Sequence, residues 1–294
     1  MISGKTALYC LVGDPVAHSL SPLIMNRALE LHGCDGVYVA CRVGGAGALP
    51  ALEGMRALGV RGANVTYPLK ENVLEGADEV SAAASAIGAA NVLTRTGGRI
   101  AADNTDAPGV VTALETFGAG PAKGQAVVIF GAGGGARAAA WGLLESGARE
   151  VVFAVRDPVK TQGVCDRFSS RFSGRRIDTV ALDARGEALD EALHPADIVI
   201  NATPVGMTGF PESRLPCGDV AAREGQTWFD FVYHPRETPF IATARERGAR
   251  TVGGLALLVS QAQAGFRLWT GHEFSLTAMY EYVITHVSGE SGRR

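Results

Sequence analysis

The sequence predicts an α/β fold in two domains, and three observations carry that prediction. Short β-branched runs alternate with longer Ala/Leu-rich stretches, the pattern of βα units that feed a parallel sheet. The alternation breaks at the Gly/Pro-containing segment 118–124 and then starts again. A length of 294 residues accommodates two ordinary domains.

In the first series the pattern predicts a strand over 7–12, a helix from about Ser21, a strand near 37–41, a helix near 48–58 and a short strand over 62–65. Ser21-Pro22 is a good helix start, because serine caps free N–H groups and proline at the first helical position loses no needed donor. In the second series a strand over 126–130 leads to a helix over 136–144, followed by strands over 150–155 and 197–201. The stretch from Leu255 to about His286 is helical in pattern, with Leu257, Leu258, Gln261, Ala262, Gly265, Phe266, Leu268 and Trp269 spaced for one buried face. Periodicity does not say which domain that stretch joins.

Composition removes several classes of function. Hydrophobic residues make up 47% and charged ones 19%, with the 38 glycines spread along the chain, which is globular rather than disordered. The balance of 27 Lys+Arg against 30 Asp+Glu leaves no basic excess for nucleic acid, so a small-molecule partner is expected. Cys10, Cys34, Cys41, Cys165 and Cys217 are odd in number and include no C-x-x-C pair, which suggests neither a disulfide framework nor a zinc site and fits a reducing cytoplasm. The histidines His18, His32, His194, His234, His272 and His286 lack metal-ligand spacing, so no metal is expected. The apolar run 7–12 is cut off by Gly13-Asp14-Pro15, and no later run approaches membrane-spanning length. A soluble, unprocessed, cytoplasmic protein with no membrane partner is the expectation.

Val127-Val128-Ile129-Phe130 runs into Gly131-Ala132-Gly133-Gly134-Gly135-Ala136, which sets Gly131, Gly133 and Ala136 at the positions of the strand–turn–helix dinucleotide fingerprint. Gly131 permits the tight turn, Gly133 lets backbone approach a pyrophosphate, and Ala136 lets helix and strand pack closely with the helix N-terminus toward the anion. At the end of the next strand Arg156 suits a 2′-phosphate, whereas Asp157 suits a free ribose hydroxyl or a helix cap. Lys160, one turn on, adds a second positive charge. NADP and NAD both remain open at this point.

Three polar patches interrupt the apolar strand ends. In the first, Ser19 and Ser21 of the segment 13–22 offer hydroxyls to an anion at a helix start, against plain capping by Ser21. The second, Asn64-Val65-Thr66-Tyr67-Pro68-Leu69-Lys70, leaves a strand and carries a lysine just past a rigid proline. The third is Ala102-Asp103-Asn104-Thr105-Asp106, preceded by Ala89-Ala90-Asn91-Val92. Alone, each reads as a cap, a solvated charge or a turn.

Together, and in this order, the patches resemble the substrate motifs of the shikimate dehydrogenase family. The likeness continues through the glycine loop, Asn201-Ala202-Thr203-Pro204-Val205-Gly206-Met207, Asp230-Phe231-Val232-Tyr233 with Thr238-Pro239-Phe240, and 254–261. The resemblance implies an N-terminal α/β substrate domain of residues 1–105, completed by C-terminal helices over 255–294, and a Rossmann-type NADP-binding domain over 106–254, with a cleft between them. It further implies that Ser19 and Ser21, helped by Tyr233, bind the substrate carboxylate, that Thr66, Asn91, Asp106 and Gln261 hold ring hydroxyls, and that Lys70 and Asp106 form the catalytic pair. Thr203, Phe231 and Gly254 join Gly131, Ala132, Gly133, Gly134, Gly135, Ala136, Arg156, Asp157 and Lys160 on the cofactor side. A homodimer is compatible with this picture.

Oxidising a secondary alcohol needs a group that takes the hydroxyl proton as hydride leaves, and Lys70 is the candidate. Free lysine is protonated at neutral pH, so the ammonium form serves the reverse, reductive direction directly. Asp106 orients Lys70 and the reacting hydroxyl. Several positions depart from the family's usual text: Val155 for asparagine, Asp157 for threonine, Ala107-Pro108 for glycine after Asp106, Phe231 for methionine and Gly253 for an acidic residue. A relative using quinate, an analogue or NAD, and a homologue that binds ligand without turnover, stand as the alternatives.

Overall fold

The computed structural model describes residues 2–118, 120–182, 187–210 and 222–290. The chain divides into two compact units, Met1–Thr105 with Val259–Arg294, and Asp106–Leu258. Cys10, Cys34, Cys41 and Cys165 are free thiols; Cys217 lies outside the described residues.

The first unit is built on a six-stranded sheet ordered β2-β1-β3-β5-β6-β4. Its strands are β1 (Ala7–Gly13), β2 (Gly36–Arg42), β3 (Gly62–Val65), β4 (Glu79–Val80), β5 (Val92–Thr96) and β6 (Arg99–Asp103). Strand β1 runs parallel to β2 and β3, but β5 is antiparallel to both β3 and β6, so this sheet is mixed where βα alternation alone implies a parallel one. For β5 and β6 the cause is the two-residue link Gly97-Gly98, with φ of +57° and +86°. Only a left-handed pair of this kind matches the twist of two directly joined strands, and such a link forces them antiparallel. Helices α1 (Ser21–Leu31), α2 (Ala48–Ala57) and α3 (Ala82–Ile87) accompany the sheet. Leu52 and Met55 of α2 bury with Cys10, Val65, Leu69, Leu93 and Ile100 in one apolar cluster.

Among the described residues the second unit carries six strands, β7 (Ala126–Phe130), β8 (Glu150–Val155), β9 (Arg176–Ala181), β10 (Ile198–Asn201), β11 (Thr227–Asp230) and β12 (Arg250–Val252), ordered β12-β11-β10-β7-β8-β9 and parallel throughout. This is the doubly wound order in which the winding reverses between β7 and β10, and ligands of such sheets sit outside the strand carboxyl ends at that reversal. Strands β7, β10 and β11 are buried at every position, as strands covered on both faces must be. The helices are α4 (Asp106–Phe117), α5 (Gly134–Glu145), α6 (Pro158–Arg171), α7 (Glu187–Leu193) and α8 (Pro239–Glu246). Two boundaries differ from the sequence pattern. Asp197 stays out of β10 and accepts the Ala126 N–H at 2.8 Å, while α5 starts inside the glycines because Gly133 is its N-cap.

The helical C-terminal stretch is two helices, α9 (Gly254–Thr270) and α10 (Leu276–Glu290). Residues of α9 from Val259 onward belong to the first unit. There Trp269 fills the space Gly62 leaves: a Cβ at Gly62 would lie 2.4 Å from the indole ring. The indole stacks on Tyr9 at 5.2 Å and donates Nε1–H to the Leu93 carbonyl at 3.1 Å.

Helices α4 and α5 approach so closely that a Cβ at Gly142 would stand 2.3 Å from the Ala107 carbonyl oxygen. In an unobstructed helix interior Gly→Ala gains roughly 1 kcal/mol from propensity, whereas this overlap forces the backbones apart at a cost of roughly 1–3 kcal/mol. Gly142→Ala should therefore lower the melting temperature of the second unit. A scanning calorimetry trace showing equal or higher stability would mean the two helices are not held at this distance.

Candidate functional site

The polar patches of the first unit are joined through their backbones. Gly13 ends β1 with φ of +151°, and a Cβ there would lie 2.4 Å from Thr66 Cγ2 and 2.7 Å from the Tyr67 carbonyl oxygen. Only glycine admits that approach. Asp14 N–H donates to the Tyr67 carbonyl at 2.8 Å and Thr66 N–H to the Val12 carbonyl at 2.9 Å, so the segments after β1 and β3 lie side by side. The next tie runs to the start of β5, where Val65 N–H donates to the Asn91 carbonyl and Ala90 N–H to the Lys70 carbonyl, both at 2.8 Å. The half-buried Lys70 is thereby held beside Asn91 in the chain's own framework.

Asn91, 3% exposed, spends its amide on Thr105: Oδ1 accepts the Thr105 N–H at 2.6 Å and Nδ2 donates to Thr105 Oγ1 at 3.0 Å. On α9, Gly265 packs against Asn64, with a Cβ there placed 3.5 Å from Asn64 Nδ2. Gln261 is one turn earlier and shares that face. The structure thus groups Ser19, Ser21, Thr66, Lys70, Asn91 and Gln261 on the first unit. Asp106 and Tyr233 belong to the second, where Asp106 is buried in the first turn of α4 and Tyr233 is half-buried just after β11. A carboxylate in a helix's first turn is favoured by the helix dipole.

Ser21 is not a helix cap. Leu20 occupies the N-cap of α1 and no side chain caps it, while the Ser21 N–H meets Ser19 Oγ at 3.2 Å and the two hydroxyls lie 3.2 Å apart. With proline following, the orphan donors of this end are fewer, and neither hydroxyl serves as the N-cap of α1. Sequence reasoning missed two partners of the cluster as functional groups, Tyr38 and Asn64, whose hydroxyl and Oδ1 are 2.8 Å apart. The available signal was Asn64 itself, a polar residue inside an otherwise apolar four-residue strand. Tyr38 carries no such signal, since a tyrosine in an apolar strand reads as core.

On the second unit the glycine loop leaves β7 at the winding reversal. Gly131 has φ of +97° and abuts Thr203, whose Cγ2 would be 3.1 Å from a Cβ. Gly133 caps α5 without a side chain and with open space where a Cβ would stand, Gly134 begins the helix, and Ala136 is fully buried beneath it. Ala132 is half-buried in the turn, and the Phe231 ring lies against Gly135, 3.4 Å from its Cβ position. The first-turn N–H groups of α5 therefore face no capping side chain, the condition a bound phosphate requires. A Cβ at Gly254 would strike the Phe231 carbonyl oxygen at 2.5 Å, so that glycine serves close backbone packing behind the ring.

Thr203 is anchored by Asn201, whose Oδ1 accepts from Thr203 N–H at 3.1 Å and Oγ1–H at 2.6 Å. At the end of β8, Arg156 is exposed. Asp157 is the N-cap of α6: its Oδ1 accepts the Lys160 N–H at 3.2 Å and its Oδ2 lies 3.5 Å from Lys160 Nζ. Of the two roles open to Asp157 in the sequence, the cap is the one its carboxylate occupies. These residues fit a dinucleotide with a charged ribose end: an uncapped glycine turn after β7 for the pyrophosphate and an exposed guanidinium at the end of the neighbouring strand β8.

Comparison with known proteins agrees with this geometry. Residues 11–93 match the family described as the shikimate dehydrogenase substrate binding domain. The chain is 37% identical over 279 residues to the shikimate dehydrogenase (NADP(+)) of Methanothermobacter thermautotrophicus, covering 95% of this chain and 96% of that one. A shikimate dehydrogenase solved in complex with NADP+ superposes with a TM-score of 0.87 at 32% identity, over 97% of both chains. The shikimate 5-dehydrogenase of Listeria monocytogenes, solved with shikimate and NAD, does so with a TM-score of 0.87 at 30% identity, over 96% of this chain and 98% of that one. Among the described residues no helix is long and apolar enough to cross a membrane.

Behind the Asn201 turn sits Asp230, fully buried, with Oδ1 accepting from Asn201 Nδ2 and Val232 N–H at 2.9 Å each and Oδ2 from Thr238 Oγ1 at 2.5 Å. Burial pushes its carboxyl from an ordinary 3.8 up to about 6, against the pull of those three donors. Between these values the folded chain keeps a proton the unfolded chain has lost, so this group makes stability fall as pH rises through the window, with the whole loss present above about 6. Asp230→Asn should remove that component. Denaturant unfolding of both proteins from pH 4 to 7 reads it as a difference in slope, and parallel profiles would mean Asp230 ionises as it does when unfolded.

Proposed function

The chain belongs to the shikimate dehydrogenase family, and on that premise we propose that it interconverts 3-dehydroshikimate and shikimate with NADP as the hydride carrier. The observation that carries this reading is the backbone-tied group of Thr66, Lys70 and Asn91 on one unit, joined at Asp14 to the segment that carries Ser19 and Ser21, in a chain whose other unit opens a glycine loop at the winding reversal of a doubly wound sheet. Ser19 and Ser21, with Tyr233, take the substrate carboxylate; Thr66, Asn91, Asp106 and Gln261 take the ring hydroxyls.

The turn Gly131 to Ala136, Thr203, Phe231 and Gly254 hold the dinucleotide, and Arg156 with Lys160 takes its 2′-phosphate. When bound, the dinucleotide would supply the hydride-accepting and hydride-donating chemistry of its nicotinamide. Lys70 moves the accompanying proton, taking it from the C–OH oxygen in oxidation and giving it back in reduction. Asp106 orients the Lys70 ammonium and the reacting hydroxyl. Serine hydroxyls act on a carboxylate remote from the reacting carbon, so their effect falls on binding.

Preference for NADP over NAD rests on Arg156, whose planar guanidinium offers several donors to a phosphate, and on Asp157 being used as a cap. The competing reading is a relative that uses quinate or NAD, favoured by the NAD present in the Listeria monocytogenes complex. Cytoplasmic residence accompanies the main reading, supported by free thiols at Cys10, Cys34, Cys41 and Cys165.

Turnover of shikimate and of quinate with each cofactor decides between the two readings; higher efficiency with NAD or with quinate would displace the first. Lys70→Ala should lower kcat by roughly 10²–10⁴-fold with a smaller change in substrate affinity, the usual contribution of a positioned acid or base. Near-native kcat at saturation would remove Lys70 from the chemistry. Arg156→Ala should reduce kcat/KM for NADP more than for NAD, and an equal loss with both would detach Arg156 from the phosphate.

A further inference from the structure

Where β1 and β3 begin, a cavity of about 390 Å³ opens on the first sheet, within the size range of small-ligand pockets. Tyr9, Gly62 and Thr94 stand opposite one another on β1, β3 and β5 and so share one sheet face, and Thr96, two residues past Thr94, lies on that face too. Trp269 of α9 lies over Gly62, stacks on Tyr9, and walls the cavity together with Leu268. Arg61, just before β3, completes the lining. Thr66 and Lys70 follow the opposite end of β3, and at 3.3 Å per residue Gly62 and Thr66 are roughly 13 Å apart. The cavity is therefore separate from the polar cluster that carries the substrate reading.

Among the described residues no Asp or Glu lines this cavity. Most arginines of the unit have acidic partners: Arg27 pairs with Glu30, Arg42 with Asp14, Arg56 with Glu53 and Asp78, Arg99 with Glu79, and Arg267 with Glu273. Arg61 and Arg95 differ, for neither meets a carboxylate among the described residues. Arg95 spends Nε and Nη2 on the carbonyls of Val60 and Gly59, at 2.9 and 3.1 Å, which fixes the entry to β3 without cancelling its charge. The exposed Arg61 keeps its fork of donors at the cavity mouth. Beneath it Tyr9 is 5% exposed, and the Thr94 and Thr96 hydroxyls bond no group among the described residues. A single solvated arginine is ordinary surface. Here two uncompensated positive charges converge with three hydroxyls on a concave wall of indole and leucine, a setting that favours an anion with an apolar body.

We propose that this cavity is a second ligand site, taking a small organic carboxylate with a flat ring: Arg61 and the Tyr9 and Thr94 hydroxyls hold the charged end, and the ring lies against Trp269 and Leu268. A guanidinium grips a carboxylate through two parallel hydrogen bonds, which sets the ligand's direction as well as its affinity. The ring adds apolar burial against Leu268, whose side chain is 47% exposed in the empty cavity. Hydride transfer has no part in this site, and the inference does not depend on which alcohol the protein oxidises.

Benzoate is the probe, and Trp269 is the reporter, because Trp141 and Trp228 are buried in the second unit. With shikimate saturating and no dinucleotide present, benzoate should change the tryptophan fluorescence saturably, and calorimetry should return the same Kd. Arg61→Gln should weaken that Kd roughly 10- to 100-fold, the span of hydrogen bonds to a charged group, while kcat and KM for shikimate stay within about twofold. Thr94→Val, which keeps the side-chain shape, should weaken it roughly 2- to 10-fold. Inorganic phosphate carries the charge without the ring and benzyl alcohol the ring without the charge, so each should bind about 10-fold more weakly than benzoate or worse. Ser21→Ala separates this cavity from the proposed substrate carboxylate site and should leave the benzoate Kd unchanged. Absence of saturable benzoate binding, equal affinity in Arg61→Gln, or a loss that follows Ser21→Ala instead overturns the inference, and the functional reading stands apart from all three. Phosphate binding as tightly as benzoate overturns the role given to the ring.

Discussion

The two hydrogen bonds between the Asn91 amide and Thr105 fix where the chain leaves the first sheet, and most of the polar arrangement follows from that point. Both ends of the amide go to one residue, the N–H of Thr105 at 2.6 Å and its hydroxyl at 3.0 Å, so the direction of the exit is set by two bonds rather than one. The next residue is Asp106, in the first turn of α4. The Asn91 backbone faces the other way, accepting from Val65 and donating to Asp103. Removing the side chain would leave buried donors and acceptors unpaired, at roughly 1–3 kcal/mol each. The backbone and side chain of this one residue together tie the ends of β3 and β6 to Thr105, the residue at which the chain leaves the first unit.

The second unit solves the same problem with the same side chain. Asn201 ends β10, and its amide serves Thr203 on one side and Asp230 with the Val205 carbonyl on the other. Strands buried over their whole length admit polar groups only at their ends, and there an amide is the economical choice because it both donates and accepts without a charge to desolvate. Asp230 departs from that economy. As a carboxylate it can only accept when ionised, so it needs every one of its three donors, and its raised pKa records that they do not fully replace water.

Elements whose signal is local were legible in the sequence. Strands at 62–65, 126–130 and 150–155 have the bounds that their apolar runs and bordering turn residues imply, and the glycine loop declared its strand–turn–helix context outright. The β5–β6 hairpin was legible in principle, since Gly97-Gly98 separates two short runs, yet an expectation of repeating βα units masks it. What periodicity could not supply was partner choice: the Leu255–His286 stretch is amphipathic either way, and its docking on the first sheet follows from particular fits, Trp269 over Gly62 and Gly265 against Asn64. At the site, residues with unusual chemistry for their setting stood out, while Tyr38 did not, because its hydroxyl bonds Asn64 on a distant segment, a contact that no local pattern encodes. Ser21 misled for the opposite reason. Ser-Pro is a strong start signal, but the helix begins one residue earlier in register and leaves the hydroxyl uninvolved in capping.

The turn after β8 shows how one acidic residue can look wrong for a phosphate and still be compatible with it. Asp157 follows Arg156 directly, and a bare carboxylate there would oppose a 2′-phosphate. Its two oxygens are committed, one to the Lys160 N–H as a cap and one toward Lys160 Nζ. Capping is a job serine, threonine, asparagine and aspartate share, so an aspartate in place of the family's threonine preserves the start of α6. The extra negative charge faces the positive charge of Lys160, and Arg156 leaves the turn net positive. Exposed ion pairs of this kind contribute little to stability and are screened by salt, so the pairing matters less for the fold than for the field at the end of β8. Repulsion from a paired carboxylate is partly cancelled by its partner and screened over about 8–10 Å of salt solution, whereas guanidinium-to-phosphate hydrogen bonds act at contact and keep their direction. The balance at contact distance therefore lies with the arginine.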